Sequence, residues 1–437
     1  MWINLALMLL VLVSVAAWAL MPAWGTLALL LLLALWLLLT RRGRQALSVA
    51  GVGVSTLRQR LGSSAVVVVG IAGVVAVLVS LLAMAEGYRQ TLRNSGSEDT
   101  VIVMRGGSSS EVTSTLDRES IVVIEQAPQI ARDAKGEALA SAEIVVAATL
   151  PNAGAKDADD SGSVQLRGVS DKAFALRPQL KITEGRRIKP GLRELMAGRG
   201  AVRQFQGLEV GREVKLGNEV WTVVGHFSSG DAMESELWGD ATTVADTYRR
   251  GASRNVVQLK LAKVADFKAL KGELESNPQL KVEVSTTLDY FSKQSEGMSK
   301  VITTVGITVG AIMAVGAIFG ALNTMFAAVA SRAREIATLR AIGFQGLPVV
   351  VAVLLETMLL ALIGGLVGAA IAWLMFNGRG ASTLAGGAVG KLSFELLVTP
   401  ALMGAGLKWA LAIGFVGGLF PAMRAARMPV TTALREA

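Results

Sequence analysis

Few residues of this 437-residue chain have a type and spacing that could carry chemistry. The nearest approach to a phosphate loop is AGGAVGKLS, Ala385 to Ser393. Such a loop needs glycine where Ala385 stands and Ser or Thr directly after Lys391, where Leu392 stands; no acidic strand end accompanies it. The stretch reads as a flexible connection, and the chain is expected not to hydrolyse ATP itself. His226 lies in WTVVGHF with no patterned nucleophile, as a structural or partly exposed histidine would. Glu234 and Glu236, with Asp231 and Asp240, have the composition of a metal or sugar-cleaving site, but they follow a hairpin and read as a solvated loop. One His and no Cys argue against a transition-metal site and exclude disulfides. The expectation is no catalytic, cofactor or metal-binding residue in this chain.

Two ionisable residues stand inside apolar runs. Glu356 is about 10 residues, roughly 15 Å, from one end of its run, and Lys408 about 12 residues, roughly 18 Å, from Pro421. Charges at such depth are costly. Either the two pair between adjacent antiparallel spans, or Lys408 snorkels outward and Glu356 faces a polar gap or is protonated.

The third candidate is SRAREIATLRAIGF, Ser331 to Phe344, a charged island between two apolar runs that must sit at a membrane surface. Its residues predict a short helix: Ser331 to cap it, Glu335 near the positive end of the dipole, Gly343 as a left-handed stop. Ile336, Leu339 and Ile342 would share one face, with Arg332, Glu335 and Arg340 around them. Such a helix could be a simple basic anchor, or it could receive a push from a soluble partner.

The elements that position these residues follow from composition. With 52% hydrophobic residues, 18% charged and a mean hydropathy of +0.50, the chain is a polytopic membrane protein. The net charge of +9 is not a nucleic-acid signal, because residues 86–297 hold 28 Lys and Arg against 30 Asp and Glu, leaving the excess beside the membrane. The predicted fold is membrane all-α, with about six spans, plus an α+β extracytoplasmic domain. Residues 1–43 form a transmembrane hairpin, with spans at 3–20 and 24–39 turning at MPAWG. Residues 44–63 form an interfacial amphipathic helix with Leu47, Val54, Leu57 and Leu61 on one stripe, and 64–85 a span. Residues 86–297 form the outer domain and stalk, 298–329 a span, 330–345 the surface helix and 346–376 a span. An outer loop at 377–399, a span at 400–422 and a tail at 423–437 complete the chain. This count puts 41–62, the island and the tail with Arg424, Arg427 and Arg435 on the cytoplasmic side, as the positive-inside rule requires. Gly306 and Gly310, Gly316 and Gly320, and Gly364 and Gly368 are each four apart, a spacing that lets helices approach closely.

Within 86–297, TVIVMRG reads as a strand, SSSEVTS as a polar loop, Leu116 to Glu125 as a helix and EIVVAATLP as a strand. Residues 152–163 form a solvated excursion. Period-2 alternation on both sides of Gly217-Asn218 predicts a hairpin with a two-residue turn. Residues 256–262 read as a strand and 264–276 as a helix, and from Ser285 the pattern turns helical and runs into the next span.

Three blocks resemble the ABC-transporter permease family that includes the MacB exporter, LolC, LolE and FtsX. They are GIAGVVAVLVSLLAMAEGYRQTL with SGSEDTVIVMRGGS; VGREVKLGNEVWTVVGHFSSGDAMESELWGD; and SRAREIATLRAIGF with LLETMLLALIGGLVGAAIA and GGLFPAMRAARMPVTTALRE. The resemblance covers about 45–437. It implies a MacB-type periplasmic core domain and a mechanotransmission mechanism in which 331–344 is the coupling helix, with Arg332, Arg334, Glu335, Ile336, Leu339, Arg340 and Gly343 matching the family pattern. It also implies two copies of a separate ATP-binding subunit that carries ATP and Mg, since no ATPase domain is fused, and a second permease copy, a homodimer before a heterodimer. Membrane lipids and a periplasmic adaptor are further implied partners, in the bacterial inner membrane. The function implied is export or extraction of a lipid, lipoprotein, peptide or drug. The alternative is an FtsX-like subunit that activates a cell-wall hydrolase or relays a signal. The N-terminal hairpin is additional to the family pattern.

Overall fold

The computed structural model describes residues 17–18, 21–55, 61–157, 160–384 and 390–427. Its helices are α1 (Ala23–Leu39), α2 (Arg41–Ser55), α3 (Leu61–Asn94), α4 (Arg118–Glu125), α5 (Ala173–Leu176), α6 (Arg199–Gln204), α7 (Ala241–Thr247), α8 (Phe267–Ser276), α9 (Thr287–Ser331), α10 (Ala333–Ala341), α11 (Gly346–Phe376) and α12 (Pro400–Arg427). The chain divides into two units. One holds 1–83, 302–377 and 397–437, and the other holds 84–301 and 378–396.

In the first unit, four of the described helices are long and apolar enough to cross a membrane: Ser64–Asn94 within α3, α9, α11 and α12. They become five if the bent pair Trp24–Leu39 and Arg41–Gly51 counts as one span. The expected six are not reached among the described residues, because most of the first arm, 3–20, lies outside them. Glycine fixes how these helices pack. A Cβ on Gly364 or Gly368 would lie 2.8 Å from the Val68 carbonyl oxygen or 2.4 Å from that of Ala72, so α11 rests almost directly on the α3 backbone. Gly306 and Gly310 likewise face Leu81 and Leu78 of α3, whereas Gly316 and Gly320 face open space. The predicted interfacial helix starts earlier, at Arg41. It buries Ala46, Val49 and Ala50 in place of the expected stripe, and Leu47 is exposed. The small residues win because they let α2 lie close to Ala352 of α11, Leu339 and Phe344. Leu57, in 56–60, and the side chains of Val54 and Leu61 lie outside what the structure describes.

The second unit is α+β. Its strands are β1 (Thr100–Arg105), β2 (Ala140–Pro151), β3 (Ser161–Val169), β4 (Lys181–Gly185), β5 (Glu194–Gly198), β6 (Glu213–Leu216), β7 (Glu219–Ser228), β8 (Glu236–Asp240), β9 (Val256–Lys260), β10 (Val282–Thr286), β11 (Gly380–Leu384) and β12 (Lys391–Glu395). The main sheet runs β10-β1-β9-β2-β3-β8-β5-β7-β4, with β6 paired to β7. The β3–β8 and β5–β7 pairs are parallel and the others antiparallel. The predicted hairpin is present with Leu216 opposite Glu219, and Gly217 takes the positive φ of +61° that the turn demands. One core joins β1, β9 and β10 to α4 and α8 through Val103, Leu259, Ile124 and Leu270. A second gathers Leu166, Leu195, Trp221 and Leu237 around α6 and α7. The stretch 377–399 departs from a flexible connection, since Gly380–Leu384 and Lys391–Glu395 pair as an antiparallel hairpin. Leu392 and Phe394 are buried with Tyr88 and Trp238, and the Ser393 amide donates to Ser235 Oγ at 2.8 Å.

Candidate functional site

The charged island folds as expected in kind, with one shift. Helix α9 continues through Ser331, whose hydroxyl donates to the Ala328 carbonyl at 3.0 Å, so it does not cap the next helix. Arg332 occupies the cap position instead. Its guanidinium forks: Nε and Nη2 donate to the Glu335 carboxylate at 2.8 and 3.0 Å, and Nη1 donates to Glu356 Oε2 at 3.1 Å. Hydrogen bonding to Glu335 outweighs desolvation and holds the Arg332 pKa above its ordinary value, so the group stays charged. Gly343 closes α10 at φ +105°, the left-handed stop its sequence position suggests.

Around this fork the apolar face of α10 is locked. Ile336 is buried with Met325, Val329, Val349, Val353, Ala422 and Ala425, which ties α10 to the ends of α9, α11 and α12. Leu339 packs against α2 and Ala352. Ile342 departs from the predicted shared face: it is 69% exposed, because the chain turns at Gly343 before that position can close on the core. Arg334 is exposed, and Arg340 is partly covered. Arg424 and Arg427 are exposed at the end of α12, with the Arg424 guanidinium 5.6 Å from the Phe326 ring centre. Arg435 lies outside the described residues.

Glu356 and Lys408 do not pair. Glu356, 4% exposed, is taken by Arg332. The Lys408 ammonium donates to the Met21 carbonyl at 2.7 Å, and the Trp18 indole donates back to the Lys408 carbonyl at 3.3 Å. The reason is reach. A long guanidinium at the α9–α10 junction gets to Glu356, while the bend before α1 leaves backbone oxygens near Lys408 without an intrahelical donor.

Sequence reasoning missed a second charged site, in the outer domain. Arg167 of β3, 1% exposed, donates to Glu111 at 2.7 Å, to Glu143 at 3.0 Å and to Glu236 at 2.7 and 2.8 Å. Arg177 binds both oxygens of Glu143, at 2.7 and 2.8 Å, and Gln258 at 2.7 Å. Gln165 and the Trp238 indole complete the shell of Glu236. Thus Glu236 and Asp231, expected in a solvated loop, are buried. Asp231 caps the turn Ala232–Ser235, and Asp240 caps α7. Glu234 accepts from the Ser229 and Gly230 amides and from Ser228 Oγ. These carboxylates have structural partners, and among the described residues no group of three or more His, Cys, Asp or Glu could hold a metal. Burial raises Glu111, and Arg167 only partly offsets it. Glu143 feels the same burial but is held below its ordinary value by Arg177 and Arg167. The Glu111 amide donates to Tyr290 Oη of α9 at 3.2 Å, so the cluster touches that helix. His226 is held between the Leu208 carbonyl at 2.6 Å and Glu184 at 3.1 Å, the structural role its strand suggests.

Two family models match separate parts of the chain. Residues 64–277 match the MacB-like periplasmic core domain and 307–430 the FtsX-like permease C-terminal model. The chain is 25% identical over 391 residues to the uncharacterized ABC transporter permease YknZ of Bacillus subtilis (strain 168), covering 84% of this chain and 93% of that one. It is also 25% identical to the macrolide export ATP-binding/permease protein MacB 1/2 of Paracoccus denitrificans (strain Pd 1222), over 85% of this chain but only 55% of that protein's length. Among solved structures, the extracellular domain of YknZ aligns at 14% identity over 43% of this chain and 100% of that chain, with a TM-score of 0.32. The periplasmic region of MacB from Actinobacillus actinomycetemcomitans aligns at 16% over 47% of this chain and 96% of that chain, with a TM-score of 0.34.

Proposed function

Because the chain belongs to the ABC transporter permeases that join a MacB-like periplasmic core domain to an FtsX-like permease domain, we propose that it couples ATP hydrolysis on a separate subunit to conformational work outside the membrane. An ATP-binding partner is what its permease relatives imply. In this reading α10 is the contact for that partner, with Arg334 and Ile342 on its exposed side.

The observation that carries the reading is the fork of Arg332. A helix merely anchored at a surface needs no bond into a neighbouring span, whereas this one is tied through Arg332 to its own first turn and to a buried carboxylate of α11. A force on α10 is then passed to α11 through a charge-assisted bond, and to α9 and α12 through Ile336 and its neighbours. Helices α3 and α9 each run unbroken from an apolar span into the outer domain, and they carry the movement outward.

The work done is the export or extraction of a lipid, lipoprotein, peptide or drug. The assembly contains two copies of the ATP-binding subunit, which hold ATP and Mg, and two of this chain, with an extracytoplasmic adaptor, in the bacterial inner membrane. The chain itself is a non-catalytic subunit and takes no cofactor. Affinity purification of the full chain tests this. An ATPase should copurify, and its stimulation should fall on Arg340→Glu or Glu335→Arg. No copurifying ATPase would sink the reading. A bound cell-wall hydrolase with no bound lipid or peptide would favour regulation over transport.

A further inference from the structure

The additional N-terminal segment turns a built corner. Helices α1 and α2 meet at 93°. Thr40 makes the turn on both sides: its hydroxyl donates to the Trp36 carbonyl at 2.8 Å and accepts from the Gly43 amide at 2.9 Å. Gly43 is required there, because a Cβ would lie 2.3 Å from the Trp36 carbonyl oxygen. The surface changes character across this corner. Leu38 and Leu39 are 63% and 72% exposed, as lipid-facing residues are, and Arg41, Arg42 and Arg44 are exposed immediately after. The step from exposed leucines to exposed arginines within a few residues marks the headgroup level. The first acidic residue of the sequence is Glu86, and among the described residues none of the three arginines has an ion-pair partner. They stand in the first turn of α2, where the helix dipole opposes them, so they do not serve the helix.

Beyond its first turn α2 rests on the coupling machinery along the stripe that Arg42 heads, while Arg41, Arg44 and Leu47 face away from it. Ala46, Val49 and Ala50 are buried, the last two with Ala352 of α11 and beside Leu339 of α10. Gly53 sits over the fork itself: a Cβ there would lie 2.8 Å from Glu356 Oε2 and 3.1 Å from Arg332 Nη1.

We propose that Arg41, Arg42 and Arg44, with exposed Leu47 one turn on, form a docking surface for anionic lipid headgroups, and that its occupancy sets how closely α2 presses on the Arg332–Glu356 pair. Anionic lipid in the basic-side leaflet then acts as a regulator of coupling. The first half stands on charge and geometry alone. The second rests on the reading of α10 as the ATPase contact.

The surface is tested on the purified full chain with spin-labelled phosphatidylglycerol and phosphatidylcholine. The wild type should enrich phosphatidylglycerol about tenfold. The triple variant Arg41→Gln, Arg42→Gln, Arg44→Gln should lose most of that preference, and the corresponding triple Lys variant should keep it. Equal enrichment by wild type and the Gln variant overturns the proposal, as does loss of enrichment in the Lys variant. The regulatory half is tested in nanodiscs with the ATP-binding partner. Phosphatidylglycerol should raise the partner's ATPase rate in wild type and not in the Gln variant or in Gly53→Leu. ATPase stimulation that ignores lipid charge overturns regulation while leaving the coupling function standing. No stimulation in either lipid overturns the coupling function and with it the regulatory half, whereas the spin-label result still decides the surface.

Discussion

The Arg332 guanidinium lies 3.1 Å from the Glu356 carboxylate, and the side chains of both are largely buried, at 12% and 5% exposed. Two residues separated by 24 positions thereby join the short surface helix to the interior of a span. Arg332→Met removes the cation that faces the buried Glu356 carboxylate and should cost about 3 kcal/mol. Thermal unfolding in detergent measures it. The double variant Arg332→Met/Glu356→Gln should recover much of the loss. Strict additivity would show that the two do not interact.

Lys408 contributes elsewhere. Its bond to the Met21 carbonyl holds the bend before α1, so Lys408→Met should loosen that bend by about 1 kcal/mol and expose it to limited proteolysis. Because Lys408 does not touch Glu356, Lys408→Ala and Glu356→Ala should lose stability additively. A coupling energy above about 0.5 kcal/mol would contradict the arrangement.

Helix packing can be tested at glycines with opposite surroundings. Gly368→Ala would place a methyl against the Ala72 backbone oxygen and should destabilise the membrane unit by about 1–3 kcal/mol. Gly316→Ala meets open space and should be neutral or slightly stabilising. Equal melting shifts for the two would refute the close approach of α11 to α3.

The buried cluster of the outer domain makes the fourth test. Among the described residues, Arg167→Met removes the only cation from Glu111 and Glu236 and one of two from Glu143, and should cost about 3–5 kcal/mol. Glu111 is the strained member: its Oε1 has no hydrogen-bond partner, and burial raises its pKa above the ordinary 4.5. The folded state therefore binds that proton more tightly than the unfolded chain. Its contribution to stability is full below about pH 4.5 and is lost as pH rises through the folded value. Glu143, held low, contributes in the opposite sense, above 4.5 and lost as pH falls. Glu111→Gln should flatten the decline of melting temperature as pH rises above about 4.5. An unchanged profile would assign that decline to other groups.

The sequence made the long apolar helices, the short helix Ala333–Ala341 and the Gly217-Asn218 hairpin legible because each is written locally, in hydropathy, charge or turn residues. Long-range pairing is not. Arg167 in SGSVQLRGV looks like an outward residue of an alternating strand, and Glu111 in SSSEVTS looks solvated. Their partners are 24 to 69 positions away, and only the sheet brings them together. The available signal was the company they keep, since Glu143 and Arg167 each interrupt runs of small or apolar residues. Glu356 and Lys408 were visible as charges in apolar runs, but depth alone does not choose a partner. The choice was made by the helix junction at Arg332 and the bend at Met21.

The order of strands also bears on how the chain is made. Strand β1, the first of the outer domain, is flanked in the sheet by β9 and β10, which lie roughly 150 to 180 residues further along. At about 5–20 residues per second, synthesis leaves β1 without neighbours for on the order of ten seconds or more. During that interval Val101, Ile102, Val103 and Met104, all buried in the finished fold, are presented on an unpaired strand. The first strand of the outer domain is thus the last in its sheet to find its neighbours, and its side chains are the ones most open to wrong pairing while the chain is made.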